Sequence, residues 1–203
     1  MKATNVGLTL AMTLLVAACS PGKPEGEPRD RDTSPTSTAA PPEKTTPSGP
    51  AHEAAAQIAP TQGNTVTGSV ALDQSPQGVR ISGAVQGLKP DSEFGFHIHE
   101  KGDCSAPDGS SAGGHFNPTQ AQHGNPTSGT HHVGDMVNIR SNGEGVAQID
   151  TTAAGTTLHG DPGTDVMGKA IVVHEGPDDY TTQPSGNSGK RVACGVIAAP
   201  SSP

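Results

Sequence analysis

An all-β domain, an antiparallel sandwich or flattened barrel with two long functional loops, is predicted by three features of the 203-residue sequence. Short runs rich in Val, Ile and other apolar residues are separated by clusters of Gly, Pro, Asn and Asp. No stretch keeps a 3.6-residue apolar period between helix caps. The 27 Gly and 19 Pro point to many turns and long connections.

The runs read as strands are, in order, Thr65 to Leu72, Val79 to Val85, Phe94 to His99, Met136 to Arg140, Gly145 to Asp150, Lys169 to His174 and Val192 to Ala198. Their near-regular spacing favours antiparallel neighbours. Two connections exceed hairpin length, about Glu100 to Asp135 and Glu175 to Arg191, and long loops in a small domain usually carry function. Aromatic residues are only 2% of the chain and Trp is absent. The core is therefore thin, and a disulfide or a metal would support it.

Ahead of the domain, residues 1–19 read as a secretory signal: Lys2, an apolar run from Val6 to Ala18, then small residues. The run is short for crossing about 30 Å of hydrocarbon. It ends Leu15-Val16-Ala17-Ala18-Cys19, which resembles the bacterial lipobox, so Cys19 is the expected site of lipidation. From Ser20 to about Pro60 the chain is rich in Pro, Ser, Thr, Glu and Ala without a hydrophobic period, and is expected to be a disordered tether. The folded domain is then expected over 61–203. With Cys19 lipidated, the remaining two of three cysteines, Cys104 and Cys194, are available for a disulfide in an exported, oxidising setting.

The formal charge of −8 excludes a nucleic-acid partner, since phosphate binding needs clustered Lys and Arg that are absent here. From Thr61 onward there are seven Lys/Arg against fourteen Asp/Glu, so any anionic ligand must be drawn by a local positive spot.

Six of the nine histidines form a pattern that core packing does not account for. His97 and His99 lie two apart in Phe94-Gly-Phe-His-Ile-His99, so on a strand both imidazoles face one side. The loop that follows holds Gly113-Gly-His-Phe-Asn-Pro118, Gln122-His-Gly124 and His132-Val-Gly-Asp135, and His174 ends the apolar run from Ala170. Loop histidines at this density are costly to order unless something binds them together. His97, His99, His115, His123, His132, Asp135 and His174 make seven candidate ligands, one short of two four-coordinate sites, and the count closes if one imidazole is shared. Imidazole suits copper or zinc, a four-nitrogen set suits copper and three imidazoles with a carboxylate suit zinc, while the spacing alone assigns no ligand to either site. His52, His131 and His159 are assigned to no site, although the adjacency of His131 and His132 leaves room for a register error. Hydrolases also use H-x-H, but the version with Asp and His directly after it is not matched by Glu100-Lys101.

Taken together, Gly95-Phe-His-Ile-His-Glu100, Gly102-Asp-Cys104, Gly113-Gly-His-Phe-Asn-Pro118, His123-Gly124, His132-Val-Gly-Asp135, Val172-Val-His-Glu175 and Gly189-Lys-Arg-Val-Ala-Cys-Gly-Val-Ile197 resemble the bacterial periplasmic copper/zinc superoxide dismutases, over about Thr65 to Ala198. The resemblance implies a Greek-key β-sandwich. It implies copper on His97, His99, His115 and His174, zinc on His115, His123, His132 and Asp135, and His115 as the shared imidazole. It gives Arg191, near Cys194, the role of docking the anion, and Asp178 that of orienting one histidine of each metal, here His97 and His123. The implied activity is dismutation of superoxide in the cell envelope, in a periplasmic protein held to a membrane, the outer one preferred, through the lipid on Cys19. A non-catalytic copper/zinc-binding protein would share the ligands without needing Arg191. A copper-only relative would have lost zinc ligands, all of which are present here. The loop Thr181 to Gly189 lacks the charged cluster that guides substrate in eukaryotic relatives, leaving Lys101 and Lys190 as further candidates for attraction. A homodimer is compatible with the sequence, which does not set the oligomeric state.

Overall fold

The computed structural model describes residues 53–200. The signal segment, Cys19 and the tether as far as residue 52 lie outside these residues, as does His52.

Nine strands form: β1 (Ala54–Pro60), β2 (Thr67–Ser75), β3 (Gly78–Gln86), β4 (Glu93–Phe94), β5 (Phe96–His99), β6 (Ile139–Arg140), β7 (Ala147–Ala154), β8 (Ala170–His174) and β9 (Arg191–Val196), with one 3-10 turn at Ser110–Ala112. Seven make one curled antiparallel sheet in the order β5-β8-β9-β1-β2-β3-β7. β4 pairs with β6 in a separate two-stranded ribbon, and β4 runs on through Gly95 into β5. The neighbours β3–β7, β5–β8 and β9–β1 are not consecutive in the chain, so the sheet is wound by crossovers rather than meandering.

The tether boundary needs correction. Ala54–Pro60, expected to belong to the disordered segment, is a strand inserted between β2 and β9. Its sequence, Ala-Ala-Ala-Gln-Ile-Ala-Pro, has weak strand propensity and no large side chains. Position in the sheet overrides propensity here, because Ala54, Ala56 and Ile58 alternate inward and are buried while the pairing on both sides satisfies the backbone. The structure adds a third long connection to the two expected, residues 155–169 between β7 and β8.

β1, β2, β3 and β7 bury one face, with Val70, Leu72, Val79, Ile81, Val85 and Ile149 in the main core. β5 and β8 differ in being buried on both faces, which is why β8 reads as an unbroken apolar run. Phe96 and Ile98 pair with Val173 and Ile171 over the main core. On the opposite face His97 and His99 pair with Val172 and Ala170. That second face is covered by the two long loops, and there the candidate metal ligands gather.

Candidate metal centre

Period-2 alternation puts His97, His99 and His174 on the covered face of β5 and β8. β5 is an edge strand, and its free edge is taken up by the loop after it. Phe116 N donates to Ile98 O at 2.8 Å, Glu100 N to Gly114 O at 2.9 Å, and His115 stands opposite His99 as an isolated bridge. Gly134 N donates to Phe116 O at 2.8 Å and Ile98 N to Gly134 O at 2.9 Å. A Cβ on Gly134 would lie 2.2 Å from Ile98 O, so only glycine lets the His132–Asp135 segment come this close. The loop is thereby laid along the strand that carries the first two histidines.

Two groups of converging ligand atoms result, His97 with His99, His115 and His174, and His115 with His123, His132 and Asp135. Every member is buried. His115 belongs to both: its Nδ1 faces Asp135 Oδ1 at 2.7 Å, leaving Nε2 on the far side of the ring. In the second group Nδ1 of His123 and of His132 also point at the Asp135 carboxylate, at 3.0 and 3.3 Å. In the first, His174 Nε2 and His99 Nε2 face each other at 3.4 Å, and His99 Nδ1 donates to Gly113 O at 2.9 Å, which presents the Nε2 lone pair inward.

Whether metal fits can be judged from the nitrogens. His97 Nδ1, His115 Nε2 and His123 Nδ1 are buried without a hydrogen-bond partner. Each such atom costs about 1–3 kcal/mol if left bare. They belong to the two groups, where a cation would satisfy them all. Burial pushes His97 down to about 4 against the opposing pull of Asp178, and pushes His174 down to about 3; His99 also falls well below its usual value, and His132 is lowered. These imidazoles are therefore neutral at pH 7, the form that ligates metal. At His123 the balance reverses. Burial lowers its pKa, but the Asp135 and Asp178 carboxylates facing its two nitrogens outweigh burial and raise the ring to about 9. Burial raises both carboxyls, yet their histidine and backbone hydrogen bonds hold them far below the usual range. In the metal-free chain the two carboxylates thus keep His123 protonated, and a cation among His115, His123, His132 and Asp135 would take that proton's place in a three-imidazole, one-carboxylate set of the kind that suits zinc.

Asp178 is 3% exposed and joins the groups from behind, its two oxygens 2.8 Å from His97 Nε2 and 2.9 Å from His123 Nε2. Arg191 arrives by a device invisible in the sequence. β8 and β9 pair Val173 with Ala193 but His174 with Arg191, a bulge that skips Val192. Val192 packs toward the main core, and Arg191 is set opposite His174. Its guanidinium donates through Nη1 to Gly109 O at 2.6 Å and through Nη2 to Gly113 O at 2.5 Å, the carbonyl that also orients His99. Cys104 and Cys194 are disulfide-bonded with Cα atoms 5.8 Å apart, tying the loop with those carbonyls to β9.

The model of the copper/zinc superoxide dismutase family matches residues 66–197. The chain belongs to that family. It is 40% identical over 148 residues to a copper/zinc superoxide dismutase of Aquifex aeolicus, covering 71% of this chain and 86% of that protein, and 41% identical over 133 residues to a second from the same organism. Among solved structures, a SOD-like protein from Bacillus subtilis is 37% identical with a TM-score of 0.63, over 70% of this chain and 95% of that one. The clock protein EA4 is 36% identical with a TM-score of 0.64, over 75% and 98%. The all-β antiparallel architecture is that of these relatives, and copper and zinc are the metals to which the two groups are suited.

In this dismutase-family chain a cavity of about 480 Å³ opens onto the centre, with His99, His115, His174 and Arg191 in its wall. Lys190 lines a neighbouring cavity that shares Arg191, whereas Lys101 lines neither. His132 rather than His131 lies in the second group; His131 Nδ1 turns away to His132 O at 2.7 Å. His159 stands in the 155–169 connection, outside both groups.

Several supports of the centre leave no mark in the sequence. Asn138 accepts from Asp178 N and donates to Asp178 O, both at 2.9 Å, and the Tyr180 hydroxyl accepts from Asn138 N at 2.7 Å. Side-chain amides in loops carry no motif, so nothing in the sequence set them apart.

Proposed function

We propose that the protein dismutates superoxide to dioxygen and hydrogen peroxide, with copper on His97, His99, His115 and His174 and zinc on His115, His123, His132 and Asp135. The observation that carries this reading is His115, one buried imidazole whose two nitrogens serve two separate ligand groups. Copper, when bound, supplies one-electron redox chemistry, and zinc a fixed charge and geometry.

The chain's own residues do the rest. Arg191 keeps a permanent positive charge at the cavity wall in a domain of net negative charge, and offers an anion its fork beside His174. Burial lowers its pKa without bringing it near neutrality, so it stays charged. His115 Nε2, the nitrogen that would face copper, could carry one of the two protons that the peroxide product needs, while Nδ1 faces Asp135. Asp178 keeps His97 and His123 in the tautomer that frees Nδ1 of each. The two glycine carbonyls that hold Arg191 fix its reach.

The same reading places the domain in the periplasm, lipid-anchored through Cys19, protecting the envelope from superoxide. Its support is the sequence Leu15-Val16-Ala17-Ala18-Cys19. Ser20, rather than Asp, after that cysteine favours the outer membrane.

A second reading, a non-catalytic copper/zinc-binding protein, is favoured by the relatives named SOD-like protein and clock protein, because family membership does not by itself give activity. Arg191 at the cavity wall beside the first ligand group counts against it. Superoxide turnover by the copper- and zinc-loaded protein tests the choice: activity lost in His99→Ala is expected, and equal activity in wild type and variant would sink the copper assignment.

A further inference from the structure

The turn from Thr182 to Gly186 has no charged side chain, yet it meets the metal centre at two points. The Gln183 amide accepts from His123 N at 2.9 Å through Oε1 and donates to His123 O at 2.9 Å through Nε2. One side chain thus satisfies both backbone groups of a buried residue, as a paired strand would. Three residues on, Gly186 has φ +65°, and a Cβ there would stand 1.7 Å from Asp178 Oδ1 and 2.7 Å from His123 Nε2. The backbone of Gly186 therefore lies directly over the Asp178–His123 hydrogen bond. The turn is closed by Gly186 N donating to Thr182 O at 2.7 Å and Asp179 N to Gly186 O at 2.9 Å. On its other side Gln183, Pro184 and Ser185 form wall of the cavity that Arg191 shares.

We propose that Gln183 and Gly186 are positioning residues of the zinc site, Gln183 by setting the main chain of His123 and Gly186 by letting the turn close on the Asp178–His123 pair. This rests on the reading that His115, His123, His132 and Asp135 hold zinc. Of the ligands Gln183 bonds only His123, so its effect is selective for zinc over copper, whereas Gly186 also bears on the copper group, because Asp178 holds His97 as well as His123. It also joins zinc retention to the shape of the cavity wall, since one turn serves both.

The test uses the full chain, with Gln183→Met, which keeps length and removes the amide, and Gly186→Ala. Gln183 is exposed, so its replacement leaves the core intact. Zinc affinity is measured by competition with a chelator, copper affinity likewise, and the geometry of the site by the visible absorption of cobalt bound in place of zinc. Zinc affinity is expected to fall about tenfold in each variant, the scale on which partners behind metal ligands act, with the cobalt spectrum altered, and copper affinity is expected to stay within about twofold of wild type in Gln183→Met. Wild-type zinc affinity and an unchanged cobalt spectrum in both variants would overturn the proposal. If the wild-type chain itself fails to take zinc or cobalt at these ligands, the underlying assignment fails, and this inference with it.

Discussion

Replacing Cys104 and Cys194 together by Ala removes a cross-link between residues 90 apart. In the chain-entropy treatment a closed loop of that size restrains the denatured state by about 4–5 kcal/mol. On the native side less is lost, because Cys194 sits in a small cluster of Ala112, Ala170 and Val172 where alanine buries no polar group. The expected destabilisation is therefore about 4–5 kcal/mol, or a melting temperature lower by roughly 10–20 °C for a domain of this size. Urea unfolding of the metal-free protein, oxidised wild type against the double variant, measures it without metal binding masking the difference. The variant should also lose turnover at unchanged metal content, because the Gly109 and Gly113 carbonyls that hold Arg191 belong to the loop tethered by Cys104. A loss under about 1 kcal/mol would refute the reasoning, showing that the denatured chain is not restrained by this link.

Other expectations follow from the centre's hydrogen bonds and charges. Asp178→Asn keeps the shape but offers one acceptor where two imidazole N–H groups now point, so zinc affinity by chelator competition should fall about 10–100-fold; wild-type affinity would contradict the bridging role. Arg191→Ala should slow superoxide turnover roughly tenfold with metal content intact, and Arg191→Lys should recover only part, the charge without the fork. The metal-free chain should be most stable near pH 6.5–7. His97 and His174 have folded pKa values of about 4 and about 3, below the unfolded value, so their contribution is lost as pH falls from 6.5 through that range. For His97 alone that is on the order of 3 kcal/mol. His123, raised to about 9, contributes fully below pH 6.5 and loses its contribution as pH rises through 9. Urea unfolding at pH 4, 6.5 and 9.5 checks both limbs, and a flat profile would contradict them.

Much of this arrangement is legible in the residues because the ligands recur at strand and loop spacings. His97-Ile-His99 is a period-2 pattern, and β8 reads as a strand since both its faces are apolar. β1 is not legible: three alanines carry almost no strand preference, and their burial is decided by β2 and β9, which lie elsewhere in the chain. The bulge opposite His174 is equally hidden, because a one-residue slip between β8 and β9 depends on which of Arg191 and Val192 the core accepts. Asn138, Gln183 and Gly186 escape for a related reason. Their work is done through backbone atoms and close approach, which leave no pattern of residue types.

The central claim is that one shared imidazole joins two metal sites of an active dismutase. Metal content and superoxide turnover, measured on the same purified sample supplied with copper and zinc, test it most directly. The account predicts about one copper and one zinc per chain, with turnover that vanishes when copper is withdrawn. Full loading with both metals and no turnover would contradict it, leaving a protein that binds copper and zinc without catalysis.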